Sequence, residues 1–216
     1  QLKFYTRFYM DFLLNFNILF FIAAYLAGSI PFGMLLAKTF AGVNIKEHGS
    51  KSIGATNVLR VVKETNPSLA KKLGLATVIL DAVKGTFVLL AAMAYGVTQE
   101  TLWAIAVLAI IGHCYSIYLG LEGGKGVATG LGVFLVLIPI PTLIGAVIWG
   151  FCAKVLKISS LSSLLGLAGV VVAALIFNNG LGVNSNAPMY LIAFIIYYKH
   201  IPNIIRLIKG EETKAV

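Results

Sequence analysis

Charge is what this sequence has least of. Only 12% of its 216 residues are Asp, Glu, Lys or Arg, where a soluble globular domain carries about 25%. With 59% hydrophobic residues, most of the surface must face lipid rather than water. Acidic residues are the scarcer sign: eight Asp and Glu stand against 17 Lys and Arg, for a net charge of +9. In a soluble chain that excess would point to nucleic acid. In an apolar one it marks cytoplasmic loops, so no nucleic-acid partner is expected. Cysteine is nearly absent. Cys114 and Cys152 sit in apolar runs without a redox or metal-ligand neighbour, so both read as small core residues with no disulfide. His48, His113 and His200 lack a second ligand at i+3 or i+4, and no metal or other cofactor is expected. Lys125 follows Gly124 but precedes Gly126, not Ser or Thr, which excludes a Walker A loop. No Ser-His-Asp order is recognisable. Tandem repeats, low-complexity stretches and inverted pairs of broken helices are also missing.

What is there is a series of apolar runs: Phe16–Lys38, Leu73–Tyr95, Thr101–Leu119, Val127–Val155, Leu161–Phe177 and Ala187–Tyr198. Spans of about 20 residues leave no room for a soluble domain, so residues 1–216 read as a single membrane domain. The run from Val127 to Val155 would make a helix of about 43 Å, against a hydrocarbon core of about 30 Å. Pro139 and Pro141 each remove a backbone donor, so it is expected to break there into two spans. The expected fold is an all-α, polytopic helix bundle with seven transmembrane helices, N-terminus outside and C-terminus cytoplasmic. Charge favours this count. The inner loops 39–72, 120–126, 156–160 and the C-terminal tail then collect the lysines and arginines, while loops 96–100, 138–141 and 178–186 have none. Aromatic residues in 1–17 read as an interfacial N-terminal extension. The sequence starts at Gln1 rather than Met, and residues are expected to precede it in the full chain.

Three polar clusters fall on the inner side. In the first, Gly49 and Gly54 allow backbone N–H groups to converge on an anion. Ser50, Ser52, Thr56 and Asn57 add neutral donors, and Arg60 adds a guanidinium suited to phosphate oxygens. An ordinary small-residue turn is the plain alternative. The second is Gly112-His113 followed by Gly123-Gly124-Lys125-Gly126, which opens a helix at Val127. A cation beside a helix N-terminus is a seat for phosphate. His113 reads either as a packing histidine or as a functional one, since ionisable groups in spans are costly. In the third, His200, Asn203 and Arg206 step by three and would share one helical face. The alternative there is a basic stop after the last span. Asp81 and Lys84 stand at i, i+3 within a span and can neutralise one another.

Several motifs occur in order: Gly28-Ser29-Ile30-Pro31-Phe32-Gly33; Gly49-Ser50 with Gly54-Ala55-Thr56-Asn57 and Arg60; Leu80-Asp81-x-x-Lys84-Gly85; Gly112-His113; Gly123 to Thr129; and His200-x-x-Asn203-Ile204-x-Arg206. Together they resemble the bacterial acyl-phosphate:glycerol-3-phosphate acyltransferases, the PlsY family, from about Ile18 to Glu211. The resemblance implies a seven-span inner-membrane enzyme of phospholipid synthesis with its active site at the cytoplasmic face. Its substrates would be fatty acyl phosphate and glycerol 3-phosphate, its products lysophosphatidic acid and phosphate, with no obligate protein partner. Positions matching Ser50, Arg60, Lys125, His200 and Asn203 would bind the phosphate-bearing substrates. Lys125, His200, Asn203 and Arg60 are the expected catalytic set. Ser50, Ser52, Thr56, Asn57, Gly124, Gly126 and Arg206 are expected around the phosphates, with His113, Asp81 and Lys84 in support. The chain departs from the family's pattern at Ser52, where Asn is usual, at Glu122, where a basic residue is frequent, and at Ile201-Pro202, which are usually polar. The alternative is a divergent paralogue that transports a phosphorylated or anionic solute. Against that, the polar clusters lie on one side only.

Overall fold

The computed structural model describes residues 16–177 and 182–214. Nearly all of the 1–17 extension and residues 178–181 of the outer loop lie outside that range. Among the described residues there is no strand. The helices are α1 (Phe16–Ser29), α2 (Phe32–Ala41), α3 (Ala55–Lys63), α4 (Pro67–Tyr95), α5 (Gln99–Cys114), α6 (Val127–Leu137), α7 (Pro139–Leu156), α8 (Ser159–Phe177), α9 (Ala187–Lys199) and α10 (Ile201–Ile208).

Local chemistry sets the boundaries. Asn66 caps α4 by accepting from the Leu69 N–H, Pro67 occupies the first turn, and Gly96 ends the helix. Val127–Val155 divides as expected, with α6 ending at Leu137 and α7 starting at Pro139. Two of the apolar runs are not continuous helices. The run Phe16–Lys38 is broken at Ile30-Pro31. Proline removes the donor there, and the freed carbonyls find side chains: Ser116 Oγ donates to Ser29 O at 2.6 Å and Lys84 Nζ to Ile30 O at 2.8 Å. The run Thr101–Leu119 is helical only to Cys114. Beyond it Ser116 leaves the helical ladder, its N–H donating to Glu122 O and its hydroxyl to Ser29 O.

Four helical segments are long and apolar enough to cross a membrane: Phe16–Ala41, Pro67–Tyr95, Pro139–Leu156 and Ser159–Phe177. A fifth is obtained if α9 and α10, which meet at 55°, are one broken span. α5 and α6 are apolar but shorter. Without a hydrophobic force between helices in lipid, small residues let backbones approach. A Cβ added to Gly28 would fall on the Ala109 carbonyl, and one added to Gly112 would fall on the Tyr25 carbonyl. These two contacts press α1 against α5. The main core gathers around fully buried Trp103 and around Phe134, whose ring lies 6.2 Å from it. Cys114 belongs to this core, whereas Cys152 is only half-buried; both are free thiols.

A second core lies under α3. Val58, Val61 and Val62 face Ala37, Ile45, Ala70 and Leu73, which leaves Lys63 in solvent and Arg60 half-exposed. The helix therefore lies across the ends of α2 and α4 and carries its arginine toward the site.

Candidate active site

The three polar clusters converge on one cavity of about 620 Å³. Ser50, Arg60, Lys125, His200, Asn203 and Arg206 all line it. Helix N-termini add to the polar end: α3 at Gly54 to Thr56, α6 at Gly126 to Ala128, and α8 at Ser159 and Ser160. Each brings unpaired N–H groups and the positive end of a helix dipole. The opposite end is apolar, walled by Val78, Leu131, Phe134, Trp149, Leu167 and Val170. A second, smaller cavity of about 210 Å³ adjoins it, lined by Lys51, Lys125, Lys199 and Arg206 among others.

Lys125 borders both cavities. Gly126 has a left-handed backbone at φ +83° and caps α6, a geometry a side chain would strain. Burial pulls the Lys125 ammonium down to about 8, Glu212 opposing the shift and Arg206 and Arg60 adding to it. Gly124 does not line the larger cavity. It lies on the His113 ring, and an added Cβ there would strike His113 Nε2.

His113 is itself part of a closed cluster. Lys84 Nζ lies 2.8 Å from Asp81 Oδ1, 2.9 Å from His113 Nδ1 and 2.8 Å from Ile30 O. An ammonium can only donate, so His113 Nδ1 accepts and the ring proton sits on Nε2. All three side chains are buried. They brace α1, α4 and α5 and form the floor on which the Gly124 turn rests. Thr129 Oγ1, donating to Asp81 O at 2.9 Å, ties α6 to the same point.

Two residues expected around phosphate are engaged with the protein instead. The Asn57 amide donates to Ile45 O, His48 O and Ser52 O, and its Oδ1 accepts from the Ser50 N–H at 2.8 Å. Its hydrogen-bonding capacity shapes the 45–54 loop. Thr56 Oγ1 pairs with Ser159 Oγ at 3.0 Å, joining α3 to α8. Ser52 lines the cavity and its hydroxyl accepts from the Gly54 N–H at 3.4 Å.

In the third cluster, His200 sits at the α9–α10 joint, where its Nδ1 donates to Ile196 O at 2.7 Å. Pro202 stands in the first turn of α10. Asn203 and Arg206 both reach Glu212, a residue that the reading of the sequence missed. Ser160 Oγ donates to Glu212 Oε1 at 2.7 Å, Asn203 Nδ2 to the same oxygen at 2.6 Å, and Arg206 Nε to Oε2 at 2.6 Å. Arg60 Nη2 donates to Thr213 Oγ1 at 2.9 Å. Burial alone would raise the Glu212 pKa, but these three hydrogen bonds and the Arg206 charge hold it below the usual range. The paired serines opening α8 were the legible signal for Ser160; nothing in the sequence pointed to Glu212.

The family profile for glycerol-3-phosphate acyltransferase matches residues 18–210. A glycerol-3-phosphate acyltransferase of Aliarcobacter butzleri is 77% identical over 93% of this chain and 97% of its own length. One from Sulfurimonas denitrificans is 60% identical over the same shares. The crystal structure of PlsY, an integral membrane glycerol 3-phosphate acyltransferase, in its glycerol 3-phosphate form superposes with a TM-score of 0.80 at 32% identity, covering 92% of this chain and 94% of that one. Its lysophosphatidic acid form gives 0.77 at the same identity. A cation-rich pocket built on apolar helices fits that company, and this chain belongs to the glycerol-3-phosphate acyltransferase family.

Proposed function

We propose that this chain moves a fatty acyl group from acyl phosphate to the 1-hydroxyl of glycerol 3-phosphate, making lysophosphatidic acid and inorganic phosphate. The single observation that carries the reading is a cavity with Arg60, Lys125, His200 and Asn203 at one end and an apolar wall at the other. One end suits phosphate, the other an acyl chain. Acyl phosphate is already activated, because phosphate leaves readily. The protein therefore mainly has to hold two anions together, and proximity of that kind is worth up to about 7–11 kcal/mol. The hydroxyl oxygen attacks the acyl carbonyl carbon, the bond from that carbon to the phosphate oxygen breaks, and the hydroxyl proton passes to the departing phosphate.

In this reading Arg60 and Lys125 offset repulsion between the phosphates and steady the developing charge, and the buried, neutral His200 lines their seat. The N-termini of α3 and α6, Gly126 and Ser50 supply neutral donors. His113 serves as support rather than base, since its Nδ1 is occupied by Lys84. Asn57, Thr56, Ser52, Gly124, Asp81 and Lys84 shape the walls. The chain forms one membrane domain of seven spans in the inner membrane, N-terminus outside and site facing the cytoplasm, supported by the absence of Lys and Arg from 96–100, 138–141 and 178–186. Purified protein given palmitoyl phosphate and glycerol 3-phosphate should release lysophosphatidic acid and phosphate in equal amounts. Turnover with palmitoyl-CoA instead would refute the donor, and no turnover with either would refute the reading.

A further inference from the structure

Two loops from distant parts of the chain meet at the smaller cavity, and an ion pair joins them. Lys46 Nζ lies 2.6 Å from Glu122 Oε2, 76 residues away in sequence. Lys46 belongs to the loop that carries Ser50 and Ser52, and Glu122 to the loop that carries Gly123 and Lys125. Those four residues all line the smaller cavity. Among the described residues no other hydrogen bond or ion pair connects 42–54 with 115–126. Each partner projects from fixed backbone. The Lys46 N–H donates to Asn44 Oδ1 at 3.2 Å, and the preceding Ile45 is fully buried with its carbonyl held by Asn57. Across the cavity, the Glu122 carbonyl accepts from the Ser116 N–H at 3.2 Å, and a Cβ added to Gly123 would fall on the His113 carbonyl. Leu121 keeps a left-handed backbone at φ +65°, which a leucine does only where its surroundings fix it. The Lys46 hydrogen bond and charge hold the Glu122 carboxyl below its usual range, so Glu122 is ionised at neutral pH.

We propose that Glu122 is a positioning residue: its ion pair with Lys46 sets the spacing between the Ser50 loop and the Lys125 loop, and with it the fit of glycerol 3-phosphate. This rests on the acyltransferase reading above. Glu122 has two opposed effects on an incoming anion. As a negative charge it repels the substrate. As half of a bridge it keeps donors on two loops at the separation a phosphate needs. The repulsion is the weaker effect. The carboxylate is 72% exposed, Lys46 neutralises it at contact distance, and salt screens the remainder beyond about 8 Å. The bridge, in contrast, acts on every donor that the two loops carry.

The test measures kcat and KM from released phosphate, with glycerol 3-phosphate varied at saturating palmitoyl phosphate. The variants are Glu122→Gln, Glu122→Lys and the exchange that combines Lys46→Glu with Glu122→Lys. Glu122→Gln should raise KM about three- to fivefold, the size of one exposed ion pair. Its kcat should stay within about twofold, as for a contact that serves ground state and transition state alike. Glu122→Lys sets two ammonium groups together and should raise KM about tenfold, although it makes the site more cationic. The exchange restores the pair at unchanged net charge and should return KM to within about twofold of the parent. A lower KM in Glu122→Gln or Glu122→Lys would show Glu122 acting only as a repelling charge and would overturn the proposal. So would a KM that neither variant moves, or an exchange no better than Glu122→Lys. A fall in Tm and kcat at constant KM would reduce the pair to a brace of the fold and overturn it equally. Should Glu122→Lys fail to fold, Glu122→Gln and the exchange decide alone. An inactive parent refutes the function itself, whereas an active parent indifferent to these changes refutes only the role of Glu122.

Discussion

Two polar clusters stand side by side in this protein, one buried and one partly exposed, and they differ in whether their charges cancel. Asp81, Lys84 and His113 form a set in which the ammonium donates to the carboxylate, the imidazole and a main-chain carbonyl. Arg60, Lys125 and Arg206, with the neutral His200 among them, form a set with more positive charge than the single Glu212 carboxylate can answer. In the first the opposite charges answer each other within the protein, although Asp81 and His113 also border the cavity; in the second they do not. Both cost desolvation, so a cluster with surplus cations persists only where a substrate returns that cost. The contrast separates scaffold from site more clearly than position in sequence does.

Breaking the closed cluster should have the largest effect. Lys84→Met leaves the Asp81 carboxylate buried and unpaired and strips the Ile30 carbonyl of its donor. A loss of about 3–5 kcal/mol is expected, seen as a steep fall in Tm or in detergent-stable yield. A variant with unchanged Tm would show that the cluster is not a brace. Lys125→Met should do the reverse. Removing a surplus cation relieves repulsion from Arg60 and Arg206, so Tm should hold or rise. Turnover should drop about 10²–10³-fold, as when one charge-stabilising donor is lost. Equal loss of Tm in the two variants would erase the distinction.

A third change probes the boundary between the two roles. Asn57→Ala removes the amide nitrogen that donates to three carbonyls and the oxygen that accepts from Ser50 N–H, which together fold the 45–54 loop under α3. It should cost about 1–3 kcal/mol and raise KM for glycerol 3-phosphate through disorder of Ser50, with kcat less affected. A drop in kcat with intact stability would return Asn57 to the phosphate-binding residues.

That boundary is also where the sequence stopped being legible. Apolar runs and prolines were enough for α4, for the division at Ile138 and for the all-helical class, because span length and proline act locally. The clusters were legible because cations, glycines and hydroxyls are rare in spans. The sequence could not say which of those polar groups were already spoken for. Asn57 and Arg60 are near neighbours in one loop-helix segment, yet one is consumed by three carbonyls and the other faces the cavity. The Ile30-Pro31 break went unread within a long apolar run, and its rescuers, Ser116 and Lys84, lie 87 and 54 residues away from their acceptors. Glu212 was hidden for the same reason. Its contacts depend on the left-handed turn at Gly210 and on Ser160, and no local pattern reports either.

The smallest effect, and the one that sharpens the comparison most, is the response to pH. Burial lowers the Lys125 ammonium to about 8, so its charge is present below that pH and lost above it. From pH 7 to pH 9 the protonated fraction falls from about 90% to about 10%. If that charge seats a phosphate, kcat/KM should fall about tenfold over the same interval. Glycerol 3-phosphate cannot cause the fall, since its second ionisation lies near pH 6 and it is a dianion throughout. Lys125→Arg keeps its charge across the interval. It should give a flat profile at a lower level, because a planar guanidinium does not fit a seat shaped for an ammonium. A fall that persists in Lys125→Arg would assign the titration to another group and take from Lys125 its part as the open cluster's central cation.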